Sequence, residues 1–154
     1  MEIRPVLSTE FTELRALFRE YAASVGNDIC FQTFEEELAA LPGAYASPGG
    51  EILVAVAGPE LTACVALRPL GPGICEMKRL YVRPAFRGLG LGRKLTEDVL
   101  KLATAKGYAA LRLDTLPQMT GAITLYQALG FQPIPRYGDN PSSALCFEKL
   151  LKSI

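Results

Sequence analysis

Residues 87–92 of this chain read Arg-Gly-Leu-Gly-Leu-Gly, between a segment patterned as a β-strand and a segment patterned as an α-helix. Three glycines at alternate positions allow a ligand to approach the backbone closely, because no Cβ atoms stand in the way. The first amides of a helix lack partners within the helix, and the helix dipole favours a negative charge there. The stretch therefore predicts a turn that binds an anion such as a pyrophosphate.

The segments around this turn predict a β-α-β unit. Apolar and β-branched residues favour a strand from Ile74 to Val82, and Pro84 prevents its continuation as a central strand. An apolar stripe at helical spacing predicts a helix from Gly90 to Lys106, and a buried strand follows at residues 109–113. Because a crossover of this kind joins strands of one sheet in the same direction, we expect these two strands to be parallel.

The rest of the chain predicts two N-terminal helices, a β-hairpin, and a final helix and strand. Ser8 or Thr9 is expected to cap the first helix, which should stop at Gly26. The second helix should start at Thr33, which has capping-box spacing with Glu36, and run toward residue 41. The other predicted elements are strands at residues 3–7, 52–57, 61–67 and 145–150, a loop at residues 69–73 and a helix at residues 120–129.

These elements together predict one domain over residues 1–154, since a chain of 154 residues is of ordinary domain size. We assign it to the α/β (α+β) class. Its central sheet is expected to be mixed and mostly antiparallel, with one parallel β-α-β core and helices on both faces.

The composition excludes several classes of function. The chain has no histidine, which excludes Ser-His-Asp and Cys-His catalysis and histidine-based metal sites, so no metal is expected. Sixteen basic residues balance sixteen acidic ones, which makes nucleic acid an unexpected partner. No apolar stretch reaches the roughly 18 residues that span a bilayer, so we expect a soluble, cytoplasmic protein and no membrane partner. Widely spaced Cys30, Cys64, Cys75 and Cys146 indicate reduced core thiols.

Other glycine-rich turns fit residues 87–92 less well. A Walker A loop requires its second glycine where Arg93 stands, which excludes that motif. A dinucleotide fingerprint is matched in part, because two glycines open a helix and Asp114 ends the next strand, but Leu95 occupies the position of its third glycine. A structural connection with flexible glycines is a further alternative.

Two blocks of sequence resemble the GNAT superfamily of N-acetyltransferases. Residues 77–84 followed by residues 87–92 resemble its acyl-CoA motif, whose pattern of Arg or Gln, two residues, Gly, one residue, and Gly or Ala is matched here. Residues 122–131 look like the later helix of that family, which ends in LYxxxGF. The resemblance covers residues 74–131 closely, and the rest of the chain only in the order of its elements.

This resemblance implies the acyl-CoA N-acyltransferase fold and acetyl-CoA as the donor. It places the pyrophosphate on the amides of the glycine turn, and the pantetheine arm along the strand that ends at Val82, as an added strand would lie. The cofactor-binding residues that it implies are Leu80, Tyr81, Val82, Arg87, Gly88, Leu89, Gly90, Leu91, Gly92 and Arg93.

The resemblance also suggests Glu76 as the general base, because some family members place theirs in this strand. Strand alternation puts Glu76 on the same face as Lys78, Leu80 and Val82, unless a bulge intervenes. The alternative is a solvated carboxylate paired with Arg79 or Lys78.

Tyr126 is the tyrosine of LYxxxGF and is implied as the general acid that protonates the departing thiolate. Its alternative role is a half-buried helix aromatic that packs on the sheet. Met119 stands where family members often have Asn, and Thr115 or Gln118 is a possible substitute for that polar group.

The acceptor is expected between the N-terminal helices and the loop at residues 136–141. Residues 35–37, three glutamates, could attract a cationic amine, but such a charge run on a helix is more often a solvated face. Arg68 and Arg79 could bind a substrate carboxylate, although charged side chains of this kind are also more often solvated. We expect an acetyltransferase that acts on a small-molecule amine or amino acid, as a monomer or homodimer. A protein N-terminal or lysine acetyltransferase and a non-catalytic CoA-binding regulator remain open.

Overall fold

The computed structural model describes residues 1–25, 31–138, 140 and 143–152. The predicted helix stop at Gly26, the thiol of Cys30, and Asp139 and Pro141 of the acceptor loop lie outside these residues. The helices are α1 (Phe11–Val25), α2 (Phe31–Ala40), α3 (Leu91–Ala105) and α4 (Thr120–Ala128). The strands are β1 (Glu2–Pro5), β2 (Glu51–Ala57), β3 (Glu60–Gly71), β4 (Ile74–Val82), β5 (Ala110–Thr115), β6 (Gln132–Ile134) and β7 (Leu145–Leu150).

The strands form one seven-stranded sheet in the order β1-β2-β3-β4-β5-β7-β6. Neighbouring strands are antiparallel except for β4 and β5, which are parallel and joined through α3. The predicted mixed, mostly antiparallel sheet with a parallel β-α-β core is therefore confirmed.

Two hydrophobic cores lie on opposite faces of the sheet. The first core lies under α3 and α4 and includes Leu95, Val99 and Phe131, and the second lies under α1 and α2 and includes Leu17 and Phe18. Residues 61–67 of β3 are all buried because helices cover this strand on both sides. Helices on both faces, as predicted, follow from these two cores.

The start of α1 differs from its prediction. Neither Ser8 nor Thr9 caps the helix; residues 8–10 form a 3-10 turn, and the Glu10 carboxylate accepts a hydrogen bond from the amide of Leu7 at 2.9 Å. Arg4 holds that carboxylate through two hydrogen bonds of 2.9 and 2.8 Å, and this lowers the pKa of Glu10 to about 2. A carboxylate already fixed by arginine thus satisfies the free amide in place of a hydroxyl.

Three further predictions need correction. Thr33 does not start the second helix, because α2 already begins at Phe31. The loop predicted at residues 69–73 is shorter, because β3 continues to Gly71 and a register irregularity after Pro69 accommodates the missing N–H. The short edge strand β6 was not predicted, and its Pro133 weakens the strand signal. The thiols of Cys64, Cys75 and Cys146 are buried and free, as predicted.

Gly50 holds the segment before β2 tightly against the sheet, and it provides a test of this packing. A Cβ atom at Gly50 would lie 2.5 Å from the carbonyl oxygen of Leu67 and 2.8 Å from backbone atoms of Tyr45. We expect Gly50→Ala to lower the free energy of unfolding by about 1–3 kcal/mol, because backbone must move to make room. Gly71→Ala is the matched control, since nothing lies within 4 Å of its Cβ position. Urea unfolding of both variants measures the difference, and equal stabilities would contradict the packing.

Candidate functional site

A cleft opens where β4 and β5 part. The two strands are paired only from Ile74 with Ala110 to Glu76 with Arg112, although β4 runs on to Val82 and β5 to Thr115. Their hydrogen-bonding edges therefore diverge beyond Glu76. A cleft of about 560 Å³ lies between the end of β4, the start of α3 and α4. Its lining consists of Tyr21, Ser24, Leu80, Tyr81, Val82, Phe86, Arg87, Gly88, Gly90, Leu91, Gly92, Met119, Gly121, Ala122 and Leu125.

A bulge in β4 decides which side chains face this cleft. One residue of β3, Val65, lies opposite two residues of β4, Arg79 and Leu80, and Arg79 has a φ of 62°. The extra residue reverses the alternation, so Leu80 and Val82 pack with the core under α3 and α4. The expectation that Glu76 shares their face is therefore wrong. Glu76 points to the opposite side of the sheet.

The glycine turn has the conformation and the free amides of an anion site. Gly88 and Gly90 have φ values of 81° and 79°, a left-handed region that side chains disfavour, and Gly90 is the N-cap of α3. No side chain caps this helix start. The amides of Leu91, Gly92 and Arg93 thus lack intrahelical partners and lie beside the cleft.

Of the other predicted cofactor residues, the side chain of Arg87 lies at the cleft, whereas those of Leu89 and Arg93 do not. The Nε of Arg87 donates to the carbonyl oxygen of Val82 at 2.9 Å, and its guanidinium lies 5.7 Å from the ring centre of Tyr81, so this arginine is fixed at the cleft wall. Leu89, by contrast, is 66% exposed and does not line the cleft. Arg93 also points away and pairs with Glu97 at 3.5 Å.

Tyr126 lies on α4 behind Leu125, which lines the cleft. Its ring is buried and packs against Phe131 and Phe147 at centroid distances of 5.7 and 6.5 Å. Its hydroxyl makes no hydrogen bond with another described residue. Burial raises its pKa above the ordinary value for tyrosine, and the negative charge of Asp114 adds to this. The hydroxyl therefore keeps its proton at neutral pH.

Glu76 is buried, with 1% of its side chain exposed, and both of its oxygens have partners. The Nε of Arg68 donates a hydrogen bond to Oε1 at 2.8 Å, and its Nη2 forms an ion pair with the same oxygen at 2.7 Å. The hydroxyl of Tyr137 donates to Oε2 at 2.6 Å. Lys78 lies 3.9 Å from Oε1. Glu76 is therefore not a solvated carboxylate, so that alternative interpretation is wrong. Arg79 is not a partner of Glu76.

Asp114 is a further candidate for a functional residue. The sequence indicated it only as part of a partial dinucleotide motif. It lies on β5 just past the last residue paired with β4, and its Oδ1 is 3.7 Å from the Nζ of Lys78 across the opening. It accepts no hydrogen bond from a described residue. Burial is the first cause of a raised pKa for Tyr21, Tyr126 and Tyr137, and the Asp114 carboxylate adds to each. A carboxylate that accepts no hydrogen bond from the described residues thus lies near three tyrosines, a placement that only the parting of the strands reveals.

The start of α4 offers no obvious polar substitute for the Asn of related sequences. Met119 is the N-cap of α4 and lines the cleft, and no side chain caps this helix. Thr115 is buried in β5, and Gln118 is exposed; neither lines the cleft. Their predicted role stays a prediction.

The charges predicted to meet the acceptor are largely paired within the protein. Arg79 binds Glu37 through two hydrogen bonds of 2.9 and 2.7 Å, and Glu35 pairs with Arg19 at 3.2 Å. Arg68 retains exposure and uses only part of its guanidinium on Glu76. Of the residues predicted to bind a substrate carboxylate, Arg68 thus keeps free donors.

Comparison with known families identifies the architecture around this cleft. The sequence model of the acetyltransferase (GNAT) family matches residues 11–131, which include the glycine turn, α4 and the β-α-β unit. The chain belongs to this family. It is therefore an acyltransferase, and the resemblance seen in residues 74–131 is confirmed.

Relatives of this family member carry the same general description. An uncharacterized N-acetyltransferase of Schizosaccharomyces pombe is 39% identical over 147 residues, covering 94% of this chain and 90% of that protein. An uncharacterized N-acetyltransferase of Escherichia coli is 30% identical over 124 residues, covering 79% and 73%.

Solved structures show the same GNAT fold. An acetyltransferase of Staphylococcus aureus superimposes with a TM-score of 0.83 at 22% identity, over 98% of this chain and 99% of that one. An acetyltransferase of Salmonella typhimurium, solved with its cofactor acetyl-CoA, gives a TM-score of 0.78 at 20% identity, over 98% and 94%. The expected acyl-CoA N-acyltransferase fold is thereby confirmed.

Within residues 1–25, 31–138, 140 and 143–152, no three cysteine, aspartate or glutamate side chains are grouped so that they could hold a metal ion. None of the helices in that part of the chain has the length and apolar character needed to cross a membrane.

The buried side chain of Tyr126 leads to a prediction about alkaline stability. Because burial raises its pKa in the folded protein above the unfolded value of about 10, the neutral tyrosine is stabilising below that pH and the contribution is lost as pH rises. We expect Tyr126→Phe to match the wild type at pH 8 and to be the more stable protein at pH 11, as measured by urea unfolding.

Tyr108→Phe is a contrasting control for this measurement. Its hydroxyl donates to the carbonyl oxygen of Gly49 at 2.6 Å, so we expect a loss of about 0.5–1.5 kcal/mol already at pH 8. A comparable loss for Tyr126→Phe at pH 8 would contradict the absence of a hydrogen bond between the Tyr126 hydroxyl and the described residues.

Proposed function

We propose that this protein transfers an acetyl group from acetyl-CoA to the amine of a small molecule or amino acid, by direct attack in a ternary complex. The observation that carries this proposal is the junction of an unpaired strand edge, on β4, with the uncapped start of α3 at one cleft. A donor whose amides adjoin a pyrophosphate suits both features, because the edge pairs with amides and the helix start binds anions.

The residues of the cleft fit acetyl-CoA without a metal. The main chain of Leu80 and Val82 offers hydrogen-bonding groups to the pantetheine arm, and the amides at the start of α3 offer donors to the pyrophosphate. Arg87, with its Nε on Val82, keeps its Nη groups free for a phosphate oxygen. Leu89 and Arg93 border this turn and contribute their backbone rather than their side chains.

Acetyl transfer forms a C–N bond to the amine and breaks the C–S bond of the thioester. From the ammonium form of the acceptor, two protons leave the nitrogen. A carboxylate takes the first and passes it to solvent, and the loss of the second balances the proton that the sulfur receives. Tyr126 is the proposed proton donor to the thiolate. Its raised pKa keeps the proton available at neutral pH, and it is adjacent to a residue of the cleft wall. The hydroxyl has no internal partner among the described residues to compete for that proton.

Two carboxylates are candidates for the proton acceptor. Glu76 is the candidate suggested by sequence, but a hydrogen bond and an ion pair from Arg68 and a hydrogen bond from Tyr137 already occupy its oxygens. Asp114 has free lone pairs, lies at the opening of the strands and has only the long contact to Lys78. We therefore favour Asp114 as the group that receives the proton of the acceptor ammonium, with Glu76 as the alternative.

Donor binding is tested at the two ends of α3. Gly90→Glu places a carboxylate at the proposed pyrophosphate site, and we expect the Kd for CoA in isothermal titration calorimetry to rise at least about tenfold, or 1.4 kcal/mol, through charge repulsion. Gly107→Glu is the matched control, because Gly107 also has a positive φ, of 89°, and open space but follows the opposite end of α3. Unchanged affinity in Gly90→Glu would overturn the proposed cofactor site.

The catalytic roles are tested by thiol release from acetyl-CoA with a panel of amines, amino acids and peptides. We expect turnover with small amines or amino acids, and a kcat lowered about 10²- to 10⁴-fold in Tyr126→Phe. Asp114→Asn should lower kcat/KM about 10²- to 10⁴-fold, whereas Glu76→Gln should mainly lower the melting temperature.

A large loss of kcat/KM in Glu76→Gln, with kcat/KM little changed in Asp114→Asn, would assign the role of proton acceptor to Glu76. Turnover with peptides alone would indicate a protein acetyltransferase. Tight CoA binding without turnover of any acceptor would indicate a CoA-binding regulator and contradict the proposed function.

A further inference from the structure

Arg79 combines an unusual backbone conformation with an unusually well-held side chain. Among the residues that the structure describes, it is the one non-glycine residue with a positive φ, at 62°. An arginine is not favoured in this region, because its Cβ crowds the following carbonyl. Such a conformation persists only where the surrounding structure over-determines it.

The backbone of Arg79 orients residues on the side of the sheet that faces the proposed cofactor site. It is the extra residue of the β4 bulge, and the bulge turns Leu80 and Val82 toward the cleft. The carbonyl oxygen of Arg79 accepts a hydrogen bond from the thiol of Cys64 at 3.4 Å, within the core under α1 and α2. The bulge is therefore anchored on both faces of the sheet.

The side chain of Arg79 serves the other side. Its Nε and Nη2 donate to the two oxygens of Glu37 on α2 at 2.9 and 2.7 Å, and the side chain is only 11% exposed. Its guanidinium also lies 5.6 Å from the ring centre of Tyr21 on α1 and 5.3 Å from that of Phe34 on α2. The arginine thus contacts both helices, with a planar fork that a lysine could not reproduce.

The contact with α1 reaches the cleft itself. Tyr21 and Ser24, near the end of α1, line the same cleft as Leu80, which directly follows Arg79 in the chain. One residue therefore fixes both the strand that is proposed to hold the donor and the helix wall opposite it. The contacts of Arg79 join these two walls, beside the bonds of Tyr81 and Arg83 to Glu20 of α1.

From this geometry we propose that Arg79 is a positioning residue that ties α1 and α2, the proposed acceptor side, to the bulge that shapes the donor side. The proposal rests on the acetyltransferase function proposed above. Loss of the side chain leaves the bulge in place but frees the helices. Binding of the acceptor must then order these helices. The free energy that this ordering requires weakens the binding of the acceptor but not that of the donor.

Substitutions at residue 79 separate the backbone role from the side-chain role. Arg79→Gly keeps the bulge, because glycine adopts a φ of 62° without strain, but removes the contacts to the helices. Arg79→Val removes the same contacts and in addition disfavours the bulge, since a β-branched residue is strongly disfavoured at this φ. Glu37→Gln breaks the ion pair without touching β4 at all.

We expect Arg79→Gly and Glu37→Gln to raise the KM of the best acceptor about tenfold, which corresponds to about 1.4 kcal/mol, with the Kd for CoA changed less than about twofold. The double variant should be no worse than Arg79→Gly, because both changes remove one interaction. Arg79→Val should weaken CoA binding as well. An unchanged acceptor KM in Arg79→Gly, or a parallel rise in the Kd for CoA, would overturn the proposal.

A second measurement stands apart from turnover. Hydrogen exchange with and without CoA should show that the cofactor increases the protection of α1 and α2 in the wild type, and that this increase is absent in Arg79→Gly and Glu37→Gln while CoA still binds. Coupling without any acetyl transfer would preserve the inference and reject the proposed function. Protection that rises equally in all three proteins would reject the inference whatever the activity.

Discussion

The sheet is continuous except where β4 and β5 part beyond Glu76, and the functional half of the molecule depends on this opening. Strand pairing satisfies backbone N–H and C=O groups, so an edge left open inside a structure requires another partner. The bulge at Arg79 lies in the part of β4 beyond this pairing, and the uncapped start of α3 lines the same cleft as the end of β4. At the cleft, backbone groups of the β4 edge and of the start of α3 therefore lack hydrogen-bond partners from strand pairing or from the helix.

Charged side chains hold the sheet together on the other side of this opening. Arg68, Glu76, Arg112 and Glu148 stand opposite one another on β3, β4, β5 and β7, so their charges alternate across four neighbouring strands. Ion pairs join the first two and the last two, at 2.7 and 2.8 Å. A buried carboxylate is costly unless it is paired and hydrogen-bonded, and this row supplies both requirements for Glu76. Its burial thus has a structural explanation independent of catalysis.

Local patterns in the sequence were sufficient to predict most of the fold. The apolar stripe of α3, the glycines at residues 88–92 and the LYxxxGF block each lie within one element or turn, and their chemistry is readable from neighbours in the chain. The parallel pair β4 and β5 followed from the crossover rule. Such features need no knowledge of tertiary contacts.

What the sequence could not predict depends on contacts between distant residues. The face of Glu76 was predicted wrongly because one bulge residue reverses strand alternation, and no local signal marks Arg79 as that residue. The bond from Tyr137 to Glu76 joins residues far apart in the chain. Asp114 is recognisable as a candidate functional residue only from the parting of β4 and β5. Helix caps were misassigned for the same reason, since Arg4 prepares Glu10 for that role from another element.

The two hydrophobic cores, separated by the sheet, have a consequence for how such proteins diversify. The core under α3 and α4 supports the proposed donor half, and the core under α1 and α2 supports the acceptor half, with few side chains common to both. A substitution in the second core therefore reaches the packing of the first only through the strands that both cores share and through contacts such as those of Arg79. Change in the N-terminal third can thus alter the wall formed by α1 while most of the packing behind the glycine turn is kept.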